Sequence, residues 1–79
     1  MTNIEHYQTS ISTPFIELYK LLKRENLTAS GGEAKFVISE GMVQVNGRTE
    51  TRKRNKIVAG DIVTFNGVTL EVTGMTSSA

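Results

Sequence analysis

The sequence predicts an α+β fold in which two packed N-terminal helices lie against a small, mainly antiparallel β-sheet. Three observations carry that expectation. Between residues 13 and 41 apolar side chains recur at three- and four-residue spacing, the period of one helix face. After residue 42 the pattern changes to alternation, with Val43 and Val45 around Gln44 and a longer alternating run in "DIVTFNGVTLEV". Two Asn–Gly pairs, Asn46–Gly47 and Asn66–Gly67, sit where such strands would have to reverse. A chain of 79 residues without a cysteine makes one small domain, with no disulfide to staple it.

The first helix is expected over "STPFIELYKLLKREN". Thr13 suits the N-cap, and Pro14 suits the first helical position, where its missing N–H removes nothing. Phe15, Leu18, Tyr19 and Leu22 form the buried stripe, while Lys20, Lys23 and Arg24 share a wet face. Glu17 stands near the positive end of the helix dipole and the three bases near its negative end. The second helix is expected over "SGGEAKFVISEG", with Ala34, Val37 and Ile38 facing inward. Ser30 and Glu33 open it as a capping box, and Gly41 closes it in a left-handed conformation. The short connector "NLTA" makes the two helices a compact pair. "MVQVNG" reads as a strand and a turn, Gly60–Asp61 as a second turn, and the run to Val72 as a hairpin folded on Asn66–Gly67. A two-residue loop there sets Phe65 opposite Val68 and Val63 opposite Leu70, with Thr64 and Thr69 on the other side. A weaker strand signal runs from Ile4 to Tyr7, and the polar ends "MTN" and "MTSSA" predict fraying.

The net charge of +1 hides an uneven distribution. Residues 1–19 and residues 57–79 each carry −2, whereas residues 20–56 hold all nine bases against four glutamates, for +5. Within that middle, Arg48, Arg52, Lys53, Arg54 and Lys56 are opposed only by Glu50. Like charges at this density repel unless a polyanion neutralises them, and a basic surface between acidic ends is the footprint of phosphate binding. Three of the five are arginines, whose planar forks suit phosphate oxygens. No aromatic residue interrupts the run, which favours backbone and shape recognition over stacking on unpaired bases.

Other chemistries find little support. His6 is the only histidine, and it lies in a polar N-terminal stretch without an obvious nucleophile. With no cysteine, neither a metal cluster nor a thiolate nucleophile is expected. The carboxylates are scattered singly, and no P-loop or dinucleotide fingerprint occurs. No enzyme, cofactor, metal or small-molecule substrate is therefore expected. The longest apolar run is far short of the roughly 18–20 residues of a membrane span, and the N-terminus has neither a basic start nor an apolar core. The expected location is the cytoplasm.

The order of elements resembles the S-four RNA-binding domain, also called the αL motif. The resemblance rests on Leu27 and Ser30 of a Leu-x-x-Ser turn and on Ala34 early in the second helix. It continues through the Gly-x-Val-x-Val-Asn-Gly run of Gly41, Val43, Val45, Asn46 and Gly47, and ends with Gly60–Asp61 before the last strands. It covers roughly residues 14–65, within a single domain of residues 1–79. "SGGEAK" and "ETRKRNKIVAG" look closer still to its small stand-alone YbcJ-like branch. The resemblance implies a structured-RNA partner and an RNA-facing surface at the start of the second helix, which by motif position assigns Ser30, Gly31, Gly32 and Lys35. Many members carry Arg directly after the Ser. Gly31 stands there in this chain, so more of the charge falls to Lys35 and the Arg48–Lys56 run.

The expected function is non-catalytic binding of structured RNA, ribosomal or tRNA-like, in ribosome assembly or RNA metabolism. The expected contacts are Lys23, Arg24, Ser30, Gly31, Gly32, Lys35, Arg48, Arg52, Lys53, Arg54 and Lys56, on a monomer. The rival from another class is a protein-interaction adaptor docking an acidic or ribosomal protein on the same basic face. Sequence-specific DNA reading is disfavoured, since no helix clusters Asn, Gln and Arg on one exposed face.

Overall fold

The computed structural model describes residues 5–74. Ile4, where the N-terminal strand signal begins, and the polar ends at 1–3 and 75–79 lie outside them. The chain order is β1 (Glu5–Ile11), β2 (Ile16–Glu17), α1 (Leu18–Arg24), α2 (Gly31–Ser39), β3 (Val43–Val45), β4 (Arg48–Thr49), β5 (Lys56–Ile57), β6 (Ile62–Phe65) and β7 (Val68–Gly74). Five strands form one sheet in the order β1-β7-β6-β3-β4, antiparallel throughout except where β1 runs parallel to β7. A two-stranded piece pairs β2 with β5. The helix pair packs on one face of the larger sheet, so the expected α+β architecture holds, with β1 and β2 placed ahead of the helices.

The second helix and both hairpins form where local chemistry directs them. The Ser30 hydroxyl accepts from the Glu33 N–H at 3.1 Å. The Glu33 carboxylate reaches back to the Ala29 N–H, one residue earlier than a standard capping box, at 2.6 Å. Gly41 adopts φ +76°, and the Met42 N–H bonds the Val37 carbonyl while the Gly41 N–H bonds that of Ile38, a Schellman ending. α1 ends the same way on Asn26, at φ 59°. Asn46–Gly47 and Asn66–Gly67 all have positive φ, as two-residue hairpins of the right-handed twist require. The register sets Phe65 against Val68, Val63 against Leu70 and Thr64 against Thr69, as read from the sequence. Asn46 and Asp61 are tied to each other. The Asn46 amide donates to Asp61 Oδ1, while Asp61 Oδ2 accepts from the Val58 N–H and Asn46 Oδ1 from the Ile62 N–H. That pair locks the β3–β4 turn to the Gly60 turn.

Two expectations fail at the N-terminal side. The first helix starts at Leu18, not after Thr13, and Phe15 is 39% exposed rather than buried. The Thr13 hydroxyl donates to the Phe15 carbonyl instead of accepting from a helical N–H. Ile16 and Glu17 are drawn into antiparallel pairing with Ile57 and Lys56, so a tertiary contact overrides the local helix signal. The weak strand signal from Ile4 to Tyr7, by contrast, holds over its described residues and extends further, as the seven-residue strand β1 with His6 opposite Thr69. The core joins Leu18, Leu21 and Leu22 of α1 to Ala34, Val37 and Ile38 of α2. Val43, Ile57, Val63, Leu70 and Val72 meet them from the strands.

Candidate nucleic-acid interface

The basic run is not one free loop. It begins in β4 with Arg48, ends in β5 with Lys56, and its middle is docked onto the start of α1. A helix leaves its first N–H groups without intrahelical partners. At α1 no side chain caps them. The Leu18 N–H instead bonds the Asn55 carbonyl, and the Tyr19 N–H bonds the Lys53 carbonyl, both at 3.0 Å. The run's main chain is thereby anchored while its side chains point outward. Arg52, Lys53, Arg54 and Lys56 are all exposed. Arg52, Arg54, Asn55 and Lys56 line a shallow depression of about 360 Å³.

Tyr19 connects this loop to the start of α2. Its ring lies 4.9 Å from Lys35 Nζ and 5.9 Å from Lys20 Nζ, measured to the centroid. A Cβ built on Gly31 would sit 4.0 Å from the same ring. The Gly31 and Gly32 N–H groups donate to no protein acceptor among the described residues. Lys56 lies 4.9 Å from the Phe15 ring, which gives this exposed aromatic a partner. Such contacts hold a lysine over a ring face and leave its ammonium wet. Sequence periodicity assigns both Tyr19 and Phe15 to the buried stripe and so misses their part in positioning cations. Only the neighbouring Tyr19 and Lys20 give a local signal, because Lys35 and Lys56 reach their rings from distant parts of the chain. Lys20 belongs to the same cluster although the sequence marks it only as part of a wet helix face. Its ammonium also pairs with Glu17 at 3.2 Å.

Three bases are engaged by carboxylates and six are not. Lys23, Lys35, Arg48, Lys53, Arg54 and Lys56 have no ion-pair partner among the described residues. Arg24, one of the expected RNA contacts, is engaged within the chain. Its guanidinium donates to Thr9 Oγ1 at 2.7 Å and to the Ser10 carbonyl at 2.8 Å, and pairs with Glu25, so it ties α1 to β1. Arg52 holds Glu50 through Nε at 3.0 Å and Nη2 at 3.2 Å, and the same carboxylate accepts the Arg52 N–H at 2.9 Å. These hydrogen bonds keep the Glu50 carboxyl below its usual range and raise Arg52 further. Arg52 remains 77% exposed at its side chain even so. Lys23 stands exposed on the last turn of α1, and Arg48 is exposed on the edge strand β4.

Among the described residues no group of three or more His, Asp or Glu could hold a metal ion. None of their helices is long and apolar enough to cross a membrane.

The family model described as the S4 domain matches residues 9–73. The chain is 52% identical over 59 residues to the Escherichia coli (strain K12) protein named "Putative RNA-binding protein YbcJ", covering 75% of this chain and 84% of that one. It is 40% identical over 58 residues to the Bacillus subtilis (strain 168) "Probable ribosome maturation protein RlbA", covering 73% and 82%. The solution structure of E. coli YbcJ, described with an αL motif involved in RNA binding, aligns with a TM-score of 0.63 at 45% identity. That alignment covers 92% of this chain and 91% of that one.

Proposed function

The chain belongs to the S4-domain family, and from that premise we propose that it is a non-catalytic protein that binds structured RNA through phosphates and A-form shape. The observation that carries this reading is the set of six cations without a carboxylate partner among the described residues, three of which, Lys53, Arg54 and Lys56, stand on a main chain pinned to α1. A loop serving only as a connector would gain from mixed signs. This one leaves Lys53, Arg54 and Lys56 without ion-pair partners among the described residues on a backbone held to α1, which suits a rigid duplex with regular phosphate spacing.

In this reading the Gly31 and Gly32 amides, oriented by the Ser30 cap, meet one phosphate beside Lys35. Glu33 already fills part of that helix end, so Lys35 carries the larger share. Arg48, Arg52, Lys53, Arg54 and Lys56 clamp the neighbouring strand, and Lys23 extends the contact. Arg24 acts by holding α1 in place. The Bacillus relative's name draws the RNA toward the ribosomal kind and the role toward ribosome maturation. The protein acts as a monomer in the cytoplasm.

The test is fluorescence anisotropy of a labelled RNA hairpin and of the same-sequence DNA hairpin. For about four phosphates neutralised, log K falls with log salt at a slope of roughly −3 to −4. Tighter binding to RNA with that slope is the expected result. Equal, weak binding to both hairpins would overturn the reading.

A further inference from the structure

The helix-facing side of the sheet is longer than the helix that covers it. α1 has seven residues and at about 1.5 Å per residue spans roughly 10 Å. β1 and β7 also have seven each, but at about 3.3 Å per residue they span roughly 23 Å. In the parallel register Glu5 and Tyr7 lie beside Val68 and Leu70, while Thr9 and Ile11 lie beside Val72 and Gly74. All four β1 side chains therefore share the side that the helices pack on. Thr9 and Ile11 are buried there, but Glu5 and Tyr7 are exposed, Tyr7 by 50%. What remains uncovered is a groove of about 500 Å³, lined by the largely buried Leu27, Phe65 and Val68 together with Glu5, Tyr7 and Glu25 and by polar amide side chains.

The charge of this groove is opposite to that of the RNA face. Its lining includes two carboxylates and none of the nine bases. Glu5 accepts the Tyr7 hydroxyl at 3.1 Å. Glu25 uses Oε2 for Thr9 and Arg24, and its Oε1 has no partner among the described residues. β1 is the sheet edge, closed at Ser10 by Arg24 and exposed over residues 5–8. We propose that this groove docks an extended, lysine- or arginine-bearing segment of a protein partner, with one cationic side chain entering between Glu5 and Glu25. Apolar side chains beside carboxylates suit a side chain with a hydrocarbon stem and a charged head. The Tyr7 ring adds a face for that cation. RNA phosphates are repelled by Glu5, which has no ion-pair partner among the described residues, whereas Glu25 is paired with Arg24. The basic loop abuts the N-terminal end of α1 and the groove adjoins its C-terminal end, so one molecule can hold RNA and a basic protein segment together.

The experiment is a titration of the ¹⁵N-labelled protein with a Gly-Lys-Arg nonapeptide, with a Gly-Glu nonapeptide as control. The expected cross-peak shifts centre on Glu5–Gln8 and Asn26–Leu27. Glu5→Lys weakens the peptide by roughly tenfold or more, since it turns attraction into repulsion. The milder Glu5→Gln, which keeps an acceptor for Tyr7, weakens it by about threefold. Neither variant weakens the RNA hairpin, which separates a failure here from a failure of the RNA reading. Shifts spread over Glu33, Glu40 and Glu71 would overturn the proposal. So would an unchanged peptide affinity in Glu5→Lys, groove shifts with the acidic peptide or the RNA, or no peptide binding.

Discussion

Glu50 is the acid inside the basic run, and replacing it by glutamine isolates what its charge does. The Arg52 N–H and guanidinium both rest on this carboxylate, at 2.9, 3.0 and 3.2 Å. Glutamine keeps an acceptor for the N–H and so keeps the loop's shape, but it loses the Nη2 contact and one negative charge, which loosens the guanidinium. A carboxylate and a phosphate about 7 Å apart repel by about 0.6 kcal/mol in water, cut to roughly half at 0.1 M salt. A freed, exposed Arg52 adds a charge-assisted contact to phosphate. Together the two effects tighten RNA binding by roughly two- to fivefold. One more phosphate neutralised also steepens the salt slope by about 0.7–0.9. Both are read from anisotropy titrations at several salt concentrations.

The pH dependence supplies a second arm. Arg52 depresses the Glu50 pKa, so the pair stabilises the fold above the usual carboxylate range, and that contribution is lost as pH falls through the depressed value. Acidification through that interval frees Arg52 in the natural protein and changes nothing at this position in the Glu50→Gln variant, whose amide does not titrate. The affinity gap between Glu50→Gln and the natural protein therefore narrows as pH falls. Equal or weaker RNA binding by Glu50→Gln, with unchanged melting, would refute the idea that Glu50 restrains the loop.

Gly31→Arg is expected to bind RNA about three- to tenfold more tightly, by one added charge-assisted contact. Its Cβ meets only the Tyr19 ring, at 4.0 Å, so the fold accommodates it and the melting temperature holds. Ser30→Ala removes the acceptor for the Glu33 N–H and should cost about 1 kcal/mol in a denaturant titration, with the RNA salt slope unchanged. Leu21→Ala opens a cavity at a residue with no exposed surface and should cost about 2–5 kcal/mol. At about 4–8 °C per kcal/mol for a domain of this size, a circular-dichroism melt should fall by more than about 8 °C.

The elements legible in the sequence are those whose signals sit within a few residues of one another. Ser30 and Glu33 are one turn apart, and Asn46–Gly47 and Asn66–Gly67 need only their own backbone conformation. The start of α1 was not legible, because the residue that draws Ile16 out of a helix is Ile57, forty-one positions later. β1 was hard to read for a related reason. Its partner β7 lies at the other end of the chain, and only Thr9 and Ile11 of its inner residues are covered, so alternation never develops. At the candidate interface the charge itself was plain. Which bases are committed was not, since Arg24 is engaged by Thr9 and Ser10, in the part of β1 beyond the Ile4–Tyr7 signal.

A concentrated basic run raises a stability problem that the structure meets with the main chain. Four of its five cations have no ion-pair partner among the described residues, and water and salt screening keep each mutual repulsion small. Side-chain ion pairs could have fixed the loop, but each would have removed a cation from the surface. Main-chain carbonyls of Lys53 and Asn55 fix it instead, on N–H groups that α1 would otherwise leave unmet. Ile57 anchors the following strand in the core. Under the proposed function, holding falls to the main chain of Lys53 and Asn55, and binding to the side chains of Lys53 and its neighbours. It follows that charge-removing substitutions at Lys53 or Arg54 should weaken RNA binding and leave melting nearly unchanged. Displacing the Ile16–Ile57 pairing should loosen the start of α1 and the loop together.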